Sequence, residues 1–243
     1  MRVAVIPARW GSTRFPGKPL VEVFGVPMIE RVVRRVEEAG VFDEVWVATD
    51  HGGIAERVAA MGGRAVMTAE DHPNGTSRVW EAVCRMEQGA GQPPVTAVVN
   101  VQGDEPFVRA EQLRMLVDLI ERPTAAVATL ARPMAAGDPA FTDPNRVKVV
   151  TDLSGRALYF SRSPIPSGPG DWLKHVGLYA FTRDALARIA TLPPCELEER
   201  ERLEQLRWLA HGLPIQVGHT PFETPCIDTP DDLKKLHAGP PPP

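Results

Sequence analysis

The chain keeps switching between two hydrophobic periods, and that switching restricts its fold more than any other feature. Residues 3–6 form a short apolar run that reads as a buried strand, whereas residues 28–39 carry apolar side chains at helical spacing with charges between them. The unit then recurs. Residues 45–49, 64–67 and 95–101 repeat the strand signal, and residues 54–61 and 76–86 repeat the helical one. Strands alternating with helices imply α/β architecture with a parallel sheet. In such open sheets a ligand sits beyond the carboxyl ends of the strands, so the loops after Ile6, Thr49, Met67 and Val101 are expected to converge.

From about residue 141 the texture changes. Residues 147–151 and 157–160 read as neighbouring strands joined by Asp152-Leu-Ser-Gly155, a hairpin-type turn, and the region reads as a β-rich insertion. Residues 165–171 are a Pro- and Gly-rich surface loop, and residues 176–181 return to strand character. Residues 198–209 read as one amphipathic helix with Leu203, Leu206 and Leu209 on one side. A strand near Ile215 and a last helix from Thr229 or Pro230 follow, then an extended, disordered tail at 239–243. Aromatic residues make up only 6%, so the core is expected to be aliphatic.

Composition excludes several classes of function. A net charge of −4 supplies no general field for nucleic acid or an anionic membrane surface. No apolar run approaches the roughly 20 residues of a membrane span, and the N-terminus breaks at Pro7 before a secretion signal could form. Cys84, Cys195 and Cys226 lack the paired spacing of a zinc site or a disulfide framework, as a reducing cytoplasm allows. Expected, then, is a cytoplasmic protein without nucleic-acid or membrane partners.

Three segments carry the chemistry. The loop Pro7-Ala-Arg-Trp-Gly-Ser-Thr-Arg-Phe-Pro-Gly-Lys-Pro19 places Arg9, Arg14 and Lys18 among glycines and prolines directly after the first strand. Three cations and several backbone amides make an anion cradle. It is neither the phosphate-loop nor the dinucleotide-binding pattern, because Pro19 follows Lys18 and the glycine spacing is wrong. A basic surface turn is the alternative; the loop's place after a strand favours phosphate. Asn100-Val-Gln-Gly-Asp104-Glu-Pro106 puts an aspartate within reach of a hard cation. Cys226-Ile-Asp228-Thr-Pro-Asp-Asp232 offers a second carboxylate, with Thr229 as a helix cap.

These motifs together resemble CMP-Kdo synthetases, the 3-deoxy-manno-octulosonate cytidylyltransferase family: Ile-Pro-Ala-Arg-x-x-Ser-Thr-Arg-x-Pro-Gly-Lys-Pro-Leu, Asn-Val-Gln-Gly-Asp-Glu-Pro, Asp-His-x-x-Gly-Thr-x-Arg, Leu-Glu-Gln-Leu-Arg and Asp-Thr-Pro-Asp-Asp-Leu, in that order along nearly the whole chain. The resemblance implies a three-layer nucleotide-diphospho-sugar transferase (Rossmann-like) domain with a mixed, mostly parallel sheet. Residues 1–135 and 212–238 would form the nucleotide-binding core, and about 140–211 a subdomain for sugar binding and dimerisation. It implies transfer of CMP from CTP to 3-deoxy-D-manno-octulosonate (Kdo) with release of pyrophosphate, activating the sugar for lipopolysaccharide biosynthesis, by a Mg2+-dependent cytoplasmic homodimer.

By the same resemblance Pro7, Ala8, Arg9, Ser12, Arg14 and Lys18 hold the triphosphate, and Asp71, Gly75 and Arg78 face base and ribose. Asp104 and Asp228 ligate the metal, with Lys18 completing the catalytic set. Gln102, Arg162, His175, Tyr179, Glu204 and Gln205 contact the sugar; Arg162 is the candidate for its carboxylate, and His175 is a hydrogen-bond partner or a general base. One departure stands out. Relatives often approach the last aspartate through a glycine, where this chain has Thr224-Pro-Cys226.

Overall fold

A computed structural model describes residues 1–11, 15–89, 93–240 and 242. The chain forms two compact units: residues 1–114 with 224–243, and residues 115–223. In chain order the first unit contains β1 (Arg2–Ala8), β2 (Glu22–Val23), β3 (Val26–Pro27), α1 (Met28–Glu38), β4 (Glu44–Thr49), α2 (Gly52–Ala60), β5 (Arg64–Met67), α3 (Gly75–Glu87) and β6 (Ala97–Asn100). The chain passes into the second unit within α4 (Ala110–Ile120).

The strands of the first unit run in the order β6-β1-β4-β5, all parallel. Val3 to Ile6 have no solvent exposure, and all of β6 is buried. Such continuous apolar runs belong to strands covered on both faces. Met28, Ile29, Val32, Val33 and Val36 put one stripe of α1 into the core, and Val79, Ala82 and Val83 do the same for α3. Asn74 caps α3, its Oδ1 accepting from Ser77 N at 2.8 Å. β2 and β3 form a short hairpin turned by Phe24 and Gly25, both at positive φ.

The second unit holds β7 (Val127–Met134), β8 (Lys148–Thr151), β9 (Ala157–Ser161), β10 (Trp172–Thr182), α5 (Arg183–Ile189), α6 (Glu196–Glu201), α7 (Gln205–Ala210) and β11 (Ile215–His219). β11 pairs with β7 in parallel, and β10 joins β7 and β8 antiparallel, with β9 beyond β8. The hairpin at 152–155 forms as expected, with Gly155 at φ 78° and its N–H donating to Asp152 O. The chain ends on α8 (Pro230–His237), whose capping box joins Thr229 and Asp232.

The helix expected over 198–209 is broken. Arg202 adopts left-handed φ of 54° and separates α6 from α7. The break turns Trp208 into the core with Leu203 and Leu206, and leaves Leu209 half-buried. A large aromatic decides the geometry that the leucine period did not. Among the described residues no helix is long and apolar enough to cross a membrane.

Candidate functional site

A cavity of about 230 Å³ in the first unit gathers the ends of three elements. The carboxyl end of β1 supplies Pro7, Ala8 and Arg9, the turn after β6 supplies Gln102, Gly103 and Asp104, and the amino end of α3 supplies Asn74 and Gly75. The amino end of α3 carries the positive end of the helix dipole, which favours an anion there. The close approach of the first two segments requires glycine: a Cβ on Gly103 would stand 2.8 Å from the Pro7 carbonyl oxygen.

The two aspartates meet at one cation. Lys18 Nζ donates to Asp104 Oδ2 at 2.7 Å and to Asp228 Oδ1 at 3.4 Å, across 86 and 210 residues of sequence. Gly17, at φ 68°, turns the loop so that Lys18 opens a short 3-10 turn, and Pro19 is buried beneath it. Burial acts to lower the Lys18 pKa, but the charge and hydrogen bond of Asp104, with Asp228 behind them, raise it overall. The ammonium is therefore permanent at any physiological pH.

The second aspartate is held by backbone and core together. Ile227 N donates to Asp104 O at 3.1 Å, and the Ile227 side chain packs with Val23, Met28 and Phe107. Asp232 Oδ2 accepts from the N–H groups of Asp228 and Thr229 at 3.1 and 2.8 Å. One donor atom each from Asp104, Cys226 and Asp228 lie within 4.8 Å of one another. A divalent cation with ligands at about 2.0–2.3 Å spaces its donors by up to roughly 4.5 Å, so this set fits one with small adjustment. Cys226 is exposed as a residue, yet desolvation of its sulfur and then the carboxylates of Asp104, Glu105 and Asp228 push the thiol pKa upward. Burial, and then Asp104, raise the Glu105 carboxyl to about 8.

Of the residues expected around the nucleotide, Pro7, Ala8, Arg9, Lys18, Gly75 and Arg78 line the cavity. Ser12 and Arg14 lie outside the described residues. Asp71 is exposed and is not among the lining side chains, while His72, Pro73 and Asn74 are. Arg78 is 2% exposed and braces the wall, donating to Thr68 Oγ1, Ala69 O and Asp50 Oδ2. His72 is fixed at both ring nitrogens, by Ser77 Oγ at 3.1 Å and Glu81 Oε2 at 2.5 Å. The Asn-Gly-Thr-Ser helix start just beyond His72 was the signal that marks this wall.

The remaining expected residues lie in the second unit, apart from Gln102, which lines the cavity of the first. His175 and Tyr179 stand with ring centroids 5.4 Å apart, and Tyr179 packs on Trp208 of α7 at 5.0 Å. Burial lowers the His175 pKa to about 3 and, with the Glu204 charge, raises that of Tyr179 well above 10. Thr129 Oγ1 lies 3.0 Å from His175 Nε2 and 2.8 Å from Leu178 O. Of the hydroxyl's three contacts the Leu178 carbonyl is the shortest, and with the hydroxyl proton placed on it Nε2 is assigned as the donor to Oγ1. Gln205 is buried, and Glu204 pairs with Arg207 at 3.1 Å.

Arg162 gives three of its five guanidinium donors to the carbonyls of Glu201, Pro144 and Arg202. Beside it, fully buried Lys148 donates to Asp143 O at 2.8 Å and Arg162 O at 2.7 Å. The sequence reading assigned no role to Lys148, whose position in a strand conceals it.

Residues 3–215 match the cytidylyltransferase family model. The chain is 43% identical to the 3-deoxy-manno-octulosonate cytidylyltransferase of Thermodesulfovibrio yellowstonii, over 96% of this chain and 95% of that one. It is 46% identical to the protein of the same name from Myxococcus xanthus, over 97% and 95%. Among solved structures it is similar to CMP:2-keto-3-deoxy-manno-octonic acid synthetase complexed with CTP, with a TM-score of 0.87 and 41% identity over 98% of this chain and 97% of that one. A putative glucose-1-phosphate thymidylyltransferase from Bacillus anthracis, 18% identical with a TM-score of 0.65, shares the fold over 98% and 94%.

Proposed function

The chain belongs to the 3-deoxy-manno-octulosonate cytidylyltransferase family, and from that premise we propose that it transfers CMP from CTP to 3-deoxy-D-manno-octulosonate and releases pyrophosphate. The observation that carries the reading is the convergence of Lys18, Asp104 and Asp228 on one cavity at strand ends.

The anomeric hydroxyl of the sugar attacks the α-phosphorus in line while the bond to the β,γ-pyrophosphate breaks. Such a reaction asks the protein chiefly to position and neutralise. Lys18, always charged, supports the departing pyrophosphate together with Arg9. The wall from His72 to Gly75, braced by Arg78, holds base and ribose. Asp104 and Asp228 would hold a divalent ion, which we assign as Mg2+ and which would supply charge neutralisation at the phosphates and acidify the attacking hydroxyl. Asp71, Ser12 and Arg14 keep the nucleotide assignments of the family resemblance, and Gln102, Arg162, Tyr179, Glu204 and Gln205 keep those to the sugar.

His175, neutral and donating from Nε2, is assigned as a fixed hydrogen-bonding member of the sugar set rather than the general base. The active form is read as a cytoplasmic homodimer, which light scattering of the purified chain checks. The activity is tested by incubating the chain with CTP, the octulosonate and Mg2+ and measuring CMP-sugar and pyrophosphate, expected in equal amounts. Asp104→Asn and Asp228→Asn are each expected to lower turnover more than about a hundredfold with the circular dichroism unchanged. Near-normal turnover in either variant removes that residue from the mechanism, and equal use of UTP removes the cytidylyl assignment.

A further inference from the structure

We propose that Trp10 is a positioning residue for the transfer reaction: its indole, lodged between the His51 ring and Gly17, fixes the turn that delivers Lys18 to Asp104 and Asp228. The inference rests on the reading of Lys18 as the cation at the phosphates, and it gives a task to a side chain that is not among those lining the nucleotide cavity.

Trp10 is tied to the first unit at several points. Its N–H donates to Asp50 Oδ1 at 2.9 Å, and its carbonyl accepts from Gly17 N at 3.3 Å. Its ring stacks on that of His51, with centroids 4.0 Å apart and planes 11° from parallel. The benzo edge of the indole then lies against Gly17, where a Cβ would stand 3.2 Å from Trp10 Cη2. Gly17, at φ 68°, turns the chain into Lys18, so the indole rests on the residue whose backbone aims the cation.

The partners of Trp10 are themselves held. His51 opens α2, donating its N–H to Thr49 Oγ1 at 3.2 Å and accepting at its carbonyl from Ile54 N and Ala55 N at 3.1 and 3.2 Å. His51 Nδ1 is buried with no hydrogen-bond partner among the described residues, so at that atom stacking, and not a hydrogen bond, places the ring. Asp50 divides its carboxylate between two parts of the site: Oδ1 takes the Trp10 N–H and Oδ2 takes Arg78 Nη2 at 2.9 Å. The loop that carries Arg9 and Lys18 is thereby anchored to the same side chain as the wall that Arg78 braces. An aromatic ring on a surface loop ordinarily just covers apolar surface. Trp10, 40% exposed, instead joins the loop after β1 to the loop after β4. A displacement of about 1 Å in a catalytic group can cost on the order of a hundredfold in rate, so whatever fixes this turn acts on turnover.

Steady-state kinetics with CTP, the octulosonate and Mg2+ test the proposal in Trp10→Ala, Trp10→Phe, His51→Ala and the Trp10→Ala/His51→Ala double variant, each checked for folding by thermal melting. Trp10→Ala is expected to lower kcat/KM for CTP about ten- to a hundredfold and to leave KM for the octulosonate unchanged, whereas Trp10→Phe, which keeps an aromatic face on His51, restores most of the loss. The two rings act as one unit, so the double variant is expected to lose no more than Trp10→Ala alone. Amide hydrogen exchange of the metal- and nucleotide-free chain reads the turn directly. The N–H groups of Gly17 and Leu20, which donate to Trp10 O and Gly17 O, are expected to exchange at least about tenfold faster in Trp10→Ala, while those of β6 keep the parent rate. A folded Trp10→Ala chain with kcat/KM for CTP within about twofold of the parent overturns the proposal. So does a loss that Trp10→Phe does not restore, a pair of losses that add in the double variant, or unchanged exchange at Gly17 and Leu20. Should Trp10→Ala fail to fold, His51→Ala, which removes only the stacking partner, carries the same kinetic and exchange tests with a smaller effect expected. A parent chain without transfer activity removes the reading of Lys18 on which the proposal rests, and exchange at Gly17 and Leu20 then decides by itself whether Trp10 holds the turn.

Discussion

A methyl group at Gly103 would stand 2.8 Å from the Pro7 carbonyl oxygen, and neither backbone can yield without shifting Asp104. Gly103→Ala is therefore expected to cost about 1–3 kcal/mol of stability, as overpacking does, and to lower turnover by more than that loss explains. Normal turnover in a folded Gly103→Ala chain would show that the approach of these loops is not needed. Two residues on, Glu105 has a carboxyl raised by burial and by Asp104 to about 8, against an ordinary value of 4.5. The unfolded chain loses this proton first, so the folded state is disfavoured progressively as pH rises from about 4.5 to 8, with no further change above. Glu105→Gln removes that dependence. Denaturant titrations of the metal-free chain should find the variant equal to the parent near pH 4.5 and more stable by several kcal/mol at pH 8. A constant difference across that range would mean that Glu105 is not the titrating group.

At the scale of elements, the break between α6 and α7 shows how one strained residue serves packing. Arg202 holds left-handed φ, and its carbonyl accepts from Arg162 while Leu203, Leu206 and Trp208 turn inward. A side chain in that conformation costs about 1–2 kcal/mol, and glycine avoids it at some cost in unfolded-state entropy. Arg202→Gly is expected to raise stability by up to about 1 kcal/mol, a rise in melting midpoint of about 2–4 °C. A lower midpoint would mean that the arginine side chain, not the backbone, matters at this corner. The α8 terminus makes the complementary point: Thr229 and Asp232 close a capping box, and Asp232 also orients Asp228 N. The residue that closes the cap thus also anchors the backbone at Asp228.

For the whole molecule, ligand linkage is the most direct readout. A nucleotide that binds only the folded chain stabilises it by about 2.7 kcal/mol at a hundred times its dissociation constant. CTP with Mg2+ is therefore expected to raise the melting midpoint by roughly 5–10 °C, UTP to raise it less, and Asp104→Asn to abolish most of the shift. No shift with CTP in the parent chain would count against the nucleotide site itself.

Much of this was legible from one dimension. Strand β5 and the cap of α8 fall where period and capping chemistry put them, because both are local. Lys18, Asp104 and Asp228 announced themselves as polar residues in glycine- and proline-rich turns at strand ends, where α/β sheets place ligands. Less local properties stayed hidden. The broken helix depends on where Trp208 finds room, the neutral state of His175 on desolvation of its ring, and the bracing role of Arg78 on the position of Asp50, 28 residues away. The sequence by itself determined which residue types and periods were available, since those are properties of neighbours along the chain. Only the tertiary structure decided that Cys226 joins two aspartates 124 residues apart in the same few ångströms, because closeness between distant residues is settled by packing and not by the order in which they are joined.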